Sequence, residues 1–419
     1  MKPSSEKAKS ASKVSSRGSL EGRGKSVPKL RFPGFKEEWE NKQLCNECVF
    51  FSGGTPASTD AKLYNGAIPF IRSAEIDNTT TKLFLSAKGI AESSAKEVRT
   101  GDLLLAMYGA NSGDVALSKI NGAINQAILC IRSETINTRY LKFLLERDKK
   151  RITSRYLQGG QGNLSAEIIR NLRLMFPSQR EQESISRFIE MVESRIVAQR
   201  KLVELLKKQK RGLSNALFSG KLRMVNDLKW KVYRLGDIVR RVTRKNGSAS
   251  DVPLTISAQQ GLIDQREFFS KSVASADMSG YYLLKQGEFA YNRSSSGDYP
   301  FGSIKRLERY AQGAVSTLYI CFEAIGDSDD SEFLKWYFDS FAWHREVGMI
   351  CAEGARNHGL LNVPTEGFFD TKHLLPSDKE ERKKMAMFMA LEAARCEHAE
   401  CELARLTELK AGFLQQMFA

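Results

Sequence analysis

Two long stretches of the chain carry apolar residues at alternating spacings of three and four, the period of a coiled-coil helix. They follow Pro177 and Pro376, and they close with the similar sequences Leu206-Lys-Lys-Gln-Lys-Arg-Gly-Leu213 and Leu406-Thr-Glu-Leu-Lys-Ala-Gly-Phe413. The seam positions of the two stretches correspond at an offset of 200 residues. They are Ile185, Ile189, Val192, Ile196, Gln199, Val203, Leu206, Lys210, Leu213 and Leu217 in the first stretch, and Met385, Met389, Glu392, Cys396, Ala399, Leu403, Leu406, Lys410, Phe413 and Met417 in the second.

An apolar seam of this length has to be buried against a partner. Each stretch is the partner of matching length and period for the other, so the pattern predicts a coiled coil. We expect an antiparallel pairing, because a globular segment is strung between the two helices. If the helices cross near residues 201 and 401, Glu392 should lie opposite Lys210. The alternative is that each helix packs only on its own neighbouring domain.

The segments before the helices repeat more weakly and have the pattern of mixed α/β domains. Short apolar runs separated by Gly, Asn and Ser predict strands, and two denser apolar segments predict helices. The chain is therefore predicted to be α+β, with two mixed α/β domains, two long helices in an antiparallel coiled coil, and a pseudo-twofold between the halves. The predicted strands lie at 101–108, 127–131, 288–291 and 317–322, and the predicted shorter helices at 140–145 and 332–338.

The net charge of the chain indicates the kind of partner that it binds. Lys and Arg number 64 against 49 Asp and Glu in 419 residues, a net charge of +15, which favours a polyanion such as nucleic acid. Residues 1–28 are basic, rich in Ser and Gly and poor in large apolar residues, so a disordered tail is predicted there. Seven scattered cysteines and the lack of a long apolar run favour a reducing cytoplasm and no membrane span.

Catalytic motifs are not found in the sequence. It has no phosphate loop, no dinucleotide-binding glycine fingerprint, no Pro-Pro of a DNA amino-methyltransferase and no convincing acidic set of a metal-dependent nuclease. One pair, Cys45-x-x-Cys48, does not make a zinc site and is interpreted as core or strand-edge cysteines. These absences favour a binding protein. The competing interpretation is a standalone DNA-binding nuclease with fused recognition domains.

Glycine-rich polar loops occur at matching places in both halves. Glycine lets the backbone approach a surface closely, and Asn, Gln, Arg and Ser bind base edges or phosphate oxygens. Taken alone, each loop is better interpreted as an ordinary turn, but the recurrence at matching places in both halves strengthens the case for a DNA-binding role. The candidate DNA-binding residues are Tyr108, Asn111, Ser112, Gln158, Gln161 and Asn163 in the first half, and Asn292, Arg293, Ser294, Ser295, Arg356, Asn357 and His358 in the second.

Five motifs stand out along the chain. They are Lys29-Leu-Arg-Phe-Pro-Gly-Phe ahead of Trp39, Gly101-Asp-Leu-Leu104, Gly160-Gln-Gly-Asn-Leu-Ser165, Pro177-Ser-Gln-Arg-Glu-Gln182 and the helix end from Lys210 to Phe218. With these motifs, the arrangement resembles the specificity subunit of type I restriction–modification systems. The second half departs from the pattern of that family, because Gly287-Glu replaces the usual Gly-Asp.

The resemblance implies target recognition domains at 29–177 and 221–376, and helical spacers at 178–220 and 377–419. It implies a subunit that catalyses nothing itself and reads an asymmetric, bipartite site in double-stranded DNA. The implied partners are two methyltransferase subunits, with restriction subunits in the full complex. The implied cofactors, S-adenosylmethionine, ATP and Mg²⁺, belong to those partners, and none belongs to this chain.

Overall fold

The computed structural model describes residues 27–156, 163–224, 229–257, 260–268, 275, 277–295, 299–351 and 361–419. Contacts between residues divide the chain into two compact units. Unit one is the chain up to Ala198 together with Leu403–Ala419, and unit two is Gln199–Glu402. Residues 1–26 of the predicted basic tail lie outside the described residues.

Unit one is a mixed α/β domain with two four-stranded sheets. One sheet has the antiparallel order β2-β9-β6-β7, the other has the order β4-β3-β8-β5 with β3 and β8 parallel, and β1 pairs with β10. The strands are β1 (Glu40–Gln43), β2 (Val49–Ser52), β3 (Ile68–Ile71), β4 (Leu83–Leu85), β5 (Lys96–Val98), β6 (Leu103–Ala106), β7 (Val115–Leu117), β8 (Gly122–Ile124), β9 (Ile128–Arg132) and β10 (Arg173–Phe176). The helices are α1 (Leu44–Glu47), α2 (Ala87–Ala91), α3 (Thr138–Tyr156), α4 (Ala166–Arg170) and the first part of α5 (Gln179–Phe218).

Unit two repeats the central sheet and the flanking pair of unit one. Its four-stranded sheet has the order β12-β19-β16-β17, and β11 pairs with β20 as β1 does with β10. The strands are β11 (Trp230–Arg234), β12 (Val239–Arg241), β13 (Leu254–Ser257), β14 (Gly261–Asp264), β15 (Tyr282–Lys285), β16 (Phe289–Asn292), β17 (Ser303–Arg306), β18 (Gln312–Val315), β19 (Ile320–Ala324) and β20 (Lys372–Pro376). The helices are α6 (Leu235–Ile238), α7 (Gln265–Phe268), α8 (Ser328–Asp339), α9 (His344–Ile350), α10 (Thr365–Asp370) and the first part of α11 (Lys379–Met417).

The predicted shorter elements are confirmed. Strands β6, β9, β16 and β19 lie where the apolar runs predicted them, and helices α3 and α8 cover the two predicted helical segments. Between sheet and helix lie fully buried aromatic side chains such as Tyr140 in unit one and Phe289 in unit two. Burying such a side chain contributes about 1.5–3 kcal/mol, so these rings account for much of the stability of each unit.

The two long helices run antiparallel to each other. In unit one, the rings of Phe188 on α5 and Phe413 on α11 lie 4.8 Å apart, with edge-to-face geometry. In unit two, the side-chain amide of Gln199 donates a hydrogen bond of 2.9 Å to the carbonyl of Ala399. Helices of 40 and 39 residues have a length of about 60 Å at 1.5 Å per residue. These contacts confirm the predicted coiled coil and exclude helices that pack only on their own domains.

The predicted seam is also confirmed. Every predicted seam position on α5 and α11 is buried or half-buried. Glu392 is 4% exposed, and its carboxylate accepts a hydrogen bond of 2.7 Å from Arg395, one turn further along its own helix. This ion pair within α11 satisfies the buried carboxylate. The position of Glu392 opposite Lys210 stays a prediction.

A Lys-Leu-Arg segment precedes the first strand of each half. At 29–31, the Arg31 guanidinium donates to both oxygens of the fully buried Glu181 carboxylate, at 2.7 and 2.8 Å. This ion pair explains why the charged Glu181 at the start of α5 can be buried, since Arg31 neutralises it. The same Lys-Leu-Arg sequence recurs at 221–223, where the Arg223 guanidinium lies 5.5 Å from the centre of the Trp230 ring.

Candidate nucleic-acid interface

A tight turn precedes the central strand that leads to the candidate loops in each unit. Gly101 and Gly287 occupy these turns with φ of 92° and 88°, a conformation that favours glycine. In unit one, the Asp102 carboxylate accepts the Arg99 amide at 2.7 Å and the guanidinium of Arg132. Burial alone would raise the pKa of Asp102, but the hydrogen bonds from Arg132 and the amide of Arg99 outweigh it and lower the pKa.

Glu288 stabilises the equivalent turn in unit two. Its carboxylate accepts the Lys285 amide at 2.8 Å and two N–H groups of Arg244 at 3.0 and 3.2 Å. The hydrogen bonds that Arg244 donates to Glu288 raise the pKa of the Arg244 guanidinium. The replacement of Asp by Glu after Gly287 therefore keeps the turn, with the supporting arginine supplied by the segment after β12, whereas Arg132 in unit one lies on β9.

We name the loops that follow these strands A1 (residues 108–113) and A2 (294–302), and the second pair B1 (157–163) and B2 (352–360). The Leu164 amide, directly after B1, donates a hydrogen bond of 2.9 Å to the carbonyl of Met107, directly before A1. Tyr108 and Asn163 form an isolated antiparallel bridge beside it. The two polar loops predicted in the first half are thus joined where one begins and the other ends.

The same backbone hydrogen bond occurs in unit two. The Leu361 amide, directly after B2, donates a hydrogen bond of 2.8 Å to the carbonyl of Arg293, directly before A2. Met107 and Arg293 both lie six residues after the turn glycine. In both units, therefore, the same backbone hydrogen bond joins the residue directly after the second loop to the residue directly before the first.

The described candidate residues of unit one differ in their accessibility. Tyr108 is 38% exposed and Asn163 is exposed, so both can contact a ligand. Asn111 is half-buried, and its carbonyl accepts the Asp114 amide at 2.9 Å. Ser112 is buried, with its hydroxyl donating to the carbonyl of Met107 at 2.9 Å. Ser112 therefore stabilises the conformation of A1, and it is no longer a candidate for contact with DNA. Gln158 and Gln161 lie outside the described residues.

In unit two, the candidate serines are exposed to solvent, whereas the guanidinium of Arg293 makes hydrogen bonds within the protein. Ser294 and Ser295 are exposed, and the half-buried side chain of Asn292 accepts the Ser294 amide at 3.0 Å. The Arg293 guanidinium donates to the carbonyls of Val363 at 3.1 Å and Leu318 at 2.9 Å. Arg293 therefore joins three loop segments, and it is no longer a candidate for contact with DNA. Arg356, Asn357 and His358 lie outside the described residues.

Sequence reasoning missed the helix end beside A1. Lys149 on α3 forms an ion pair with Asp114, directly after A1. A methyl group at Gly113 would lie 3.0 Å from Cγ2 of Thr153 on the same helix, so loop and helix are in close contact. The signal was present in the sequence as the basic run from Arg147 to Arg155, which is more basic than the corresponding segment of the second half.

A buried histidine in the core of unit two has a structural role. His373 is buried, with its Nδ1 2.7 Å from the Tyr337 hydroxyl and its Nε2 2.8 Å from the Thr371 hydroxyl. Since Thr371 donates onward to the carbonyl of Phe368, the imidazole donates through Nε2 and accepts at Nδ1. Burial lowers the pKa of His373 to about 4, so the ring is neutral at pH 7.

In the part of the chain that the structure describes, no group of three or more His, Cys, Asp or Glu side chains could hold a metal ion. Among the helices of the same residues, none is both long and apolar enough to cross a membrane.

Comparison with known proteins connects this architecture to one family. Residues 36–207 match the family described as the type I restriction modification DNA specificity domain. The type I restriction enzyme MjaVIII specificity subunit of Methanocaldococcus jannaschii is 23% identical over 199 residues, 46% of this chain and 44% of that protein. A second relative from the same organism, MjaX, is 26% identical over 207 residues, 48% of this chain and 47% of that protein. The matches span about half the length of these curated relatives.

The fold as a whole has counterparts among solved structures. The S subunit of a type I restriction–modification system from M. genitalium has a TM-score of 0.54 at 14% identity, over 94% of this chain and 99% of that chain. A chain from a structure describing complex assembly and conformational transition of the type I R-M system gives a TM-score of 0.54 at 14% identity, over 92% and 98%. Residues 36–207 thus match the type I restriction modification DNA specificity domain, and the chain shares its fold with solved S subunits.

Proposed function

We propose that this chain reads a bipartite, asymmetric site in double-stranded DNA, with one half-site for each unit. The observation that carries the proposal is the loop pair held by equivalent backbone hydrogen bonds, from Leu164 to Met107 in unit one and from Leu361 to Arg293 in unit two. The geometry that joins the loops is common to both units, whereas the loop sequences differ. A common scaffold with different exposed polar residues is suited to reading two different base sequences.

The charge of the chain and the long helices support the same proposal. A net charge of +15 favours a salt-dependent grip on phosphates, which positions the protein without selecting a sequence. Helices of about 60 Å suit a spacer between two reading sites. Two half-sites on one face of the duplex recur at about 34–36 Å, one helical turn. We expect the unread spacer to match a multiple of that repeat.

The chemistry is assigned to partner subunits. We propose that the chain is non-catalytic and docks two methyltransferase subunits, together with restriction subunits in the full complex. S-adenosylmethionine, ATP and Mg²⁺ would act in those partners. The role of the paired helices as a docking surface is part of this proposal, and the relative from the structure of type I R-M complex assembly supports it only by likeness of fold.

The test is reconstitution with the cognate methyltransferase subunits. Transfer of a labelled methyl group to DNA should require both the partners and this chain, and should occur only at a two-part sequence. Asn163→Ala, at an exposed position of B1, should weaken methylation of the first half-site. Ser112→Ala, at a buried position of A1, is the matched control and should leave the sequence preference unchanged. DNA cleavage by the purified chain with Mg²⁺ alone would overturn the proposal in favour of the standalone nuclease.

A further inference from the structure

The turn between β8 and β9 brings a polar residue to the first loop of unit one. The Met107 amide, directly before A1, donates a hydrogen bond of 2.8 Å to the carbonyl of Ala127. Gln126 precedes Ala127 in the chain, and Tyr108 follows Met107. The side chains of Gln126 and Tyr108 are both exposed. The backbone of Gln126 therefore lies beside the start of A1, and its side chain is accessible to a ligand of that loop.

A hydroxyl from a third segment fixes the amide of Gln126. Thr55, an exposed residue in the loop after β2, donates through its hydroxyl to Oε1 of Gln126 at 2.5 Å. Among the residues that the structure describes, Thr55 is the one hydrogen-bond partner of this amide. The Nε2 group therefore keeps both of its N–H donors, and Oε1 keeps a second lone pair. The amide is oriented by one partner and open to another.

The loop that carries Thr55 is positioned without this hydrogen bond. A Cβ on Gly53 would lie 1.7 Å from the carbonyl oxygen of Ile124, so the loop packs directly on the end of β8. The Tyr64 hydroxyl also donates to the carbonyl of Pro56 at 2.7 Å. A hydrogen bond between two exposed side chains adds little to a loop that is held by these contacts. Support of the loop is therefore an insufficient explanation for the pair.

Unit two contains the same turn, between β18 and β19. In unit one, the side chain of Asn125 accepts the amide two residues further along the chain, and its carbonyl accepts the amide three residues along, both at 3.2 Å. Ser316 makes the same two hydrogen bonds in unit two, at 3.3 and 3.1 Å. The exposed residue that follows is Gln126 in unit one and Thr317 in unit two. The turn is therefore common to the fold, whereas the side chain that it presents differs.

The turn of unit two also lies beside its first loop. The guanidinium of Arg293, directly before A2, donates to the carbonyl of Leu318 at 2.9 Å. Leu318 follows Thr317 as Ala127 follows Gln126. In both units, therefore, the residue before the first loop is hydrogen-bonded to the turn, and one exposed polar side chain stands next to that contact.

We propose that Gln126 reads an adenine in the half-site of unit one, that Thr55 positions its amide for this contact, and that Thr317 contacts a base at the equivalent place in the other half-site. This inference rests on the proposed function and adds base contacts to it. In the major groove, a Gln amide donates to N7 and accepts from N6 of adenine, a combination that no other base offers. Oε1 can accept from N6 and from Thr55 together, because a carbonyl oxygen has two lone pairs.

The experiment measures methyl transfer by the chain assembled with its methyltransferase subunits. The probes are duplexes that carry the motif methylated by the wild-type complex, and duplexes with each single base-pair substitution in it. Q126A should lose discrimination by about 5- to 150-fold at one A·T pair in one part of the motif, and keep it at every other position. T55V should lose part of the discrimination at the same pair, whereas T55S keeps the hydroxyl and should match the wild type. T317A should alter only the other part of the motif.

Thr100→Ala is the matched control, because it removes an exposed polar side chain at the opposite end of β6, and it should change no preference. Unchanged discrimination in Q126A, a loss at a G·C pair, or effects of Q126A and T317A in the same part of the motif would overturn the inference. Full discrimination in T55V, or equal losses in T55S and T55V, would overturn the role given to Thr55. The melting temperature of each variant identifies a folding defect, in which case Q126E, which has the same shape, replaces Q126A. A wild-type complex that methylates no two-part sequence would instead refute the proposed function.

Discussion

The Lys410 ammonium group on α11 lies 2.7 Å from a carboxylate oxygen of Glu193 on α5. It also contacts Glu146 on α3 at 2.5 Å, and Lys142 reaches Glu193 at 2.6 Å. Burial would raise the pKa of Glu193, but its hydrogen bonds to Lys142 and Lys410 outweigh this and lower the pKa. The repeat equivalent of Glu193 is Ala393, so this four-residue network joins three helices in unit one only.

Lys410→Met should destabilise unit one by about 1–3 kcal/mol, because Glu193 and Glu146 lose a partner while remaining partly buried. The measurement is the unfolding free energy at pH 7 from chemical denaturation. Lys210→Met, at the repeat-equivalent position on α5, is the control and should lose less than about 0.5 kcal/mol. In the background of Glu193→Ala, the cost of Lys410→Met should shrink. Equal losses with and without Glu193 would show that the ion pair contributes nothing.

Unit two should lose stability as the pH falls from about 6.5 to about 4. Burial lowers the pKa of both His344 and His373 to about 4, so each folded ring stays neutral. The unfolded chain takes up these protons near pH 6.5, whereas the folded chain does not. The free energy of unfolding therefore falls by up to about 3 kcal/mol for each ring over this pH range. Below about pH 4 the folded rings are protonated too, and this contribution stops changing.

His344→Phe isolates one ring, since His344 packs against Phe341 and Trp343 at 4.8 and 4.4 Å between ring centres. The variant should lose less stability than the parent between pH 7 and pH 5. Thermal unfolding of both proteins across this range is the measurement. Parallel pH curves for the two proteins would refute the assignment of a neutral, buried His344.

Arg293 and Ser295 should separate folding from recognition in unit two. Arg293→Met removes the donors to Val363 and Leu318, so it should cost about 1–3 kcal/mol of stability. Ser295→Ala, at an exposed loop position, should leave the melting temperature unchanged and alter affinity for the second half-site. Calorimetry and DNA binding measure the two effects. Normal stability of Arg293→Met would contradict the structural role given to this residue.

Glycines in the two turns of unit two should differ in their tolerance of a methyl group. Gly302 has a φ of 79°, and a Cβ there would lie 2.1 Å from the carbonyl oxygen of Asn292, so Gly302→Ala should cost more than about 3 kcal/mol. Gly287 has a φ of 88° but open space around it, so Gly287→Ala should cost only about 1–2 kcal/mol of backbone strain. Melting temperatures measure the difference, and equal losses at the two positions would contradict this account.

The repeat made much of the fold predictable from sequence. The seam of α5 and α11, the central strands and helices α3 and α8 were all visible as hydrophobic periodicity, because burial imposes that period. The partner of Glu392 was not predictable, since periodicity gives the face of a helix but not the rotamer that reaches Arg395. The Lys-Leu-Arg repeat at 29–31 and 221–223 was present in the sequence. The role of Arg31 was not predictable from it, because its partner Glu181 lies 150 residues away in the chain.

The candidate site was predictable as loops but not as individual side chains. Composition marked A1 and A2 correctly as polar, glycine-containing loops. It did not distinguish Tyr108, which is exposed, from Ser112, whose hydroxyl is satisfied within the loop. Arg293 was expected to face DNA because arginine commonly does, whereas here two backbone carbonyls from distant segments take its donors. Such tertiary partners are set by the folded chain and leave no local signal.

The most direct test of two half-site readers is methylome sequencing of cells that express this chain with its methyltransferase partners. The account predicts one motif made of two specified parts separated by an unspecified spacer. Exchanging residues 230–376 for the matching segment of a type I specificity subunit should change one part and leave the other part intact. A single contiguous motif, or a change of both parts after the exchange, would contradict the account.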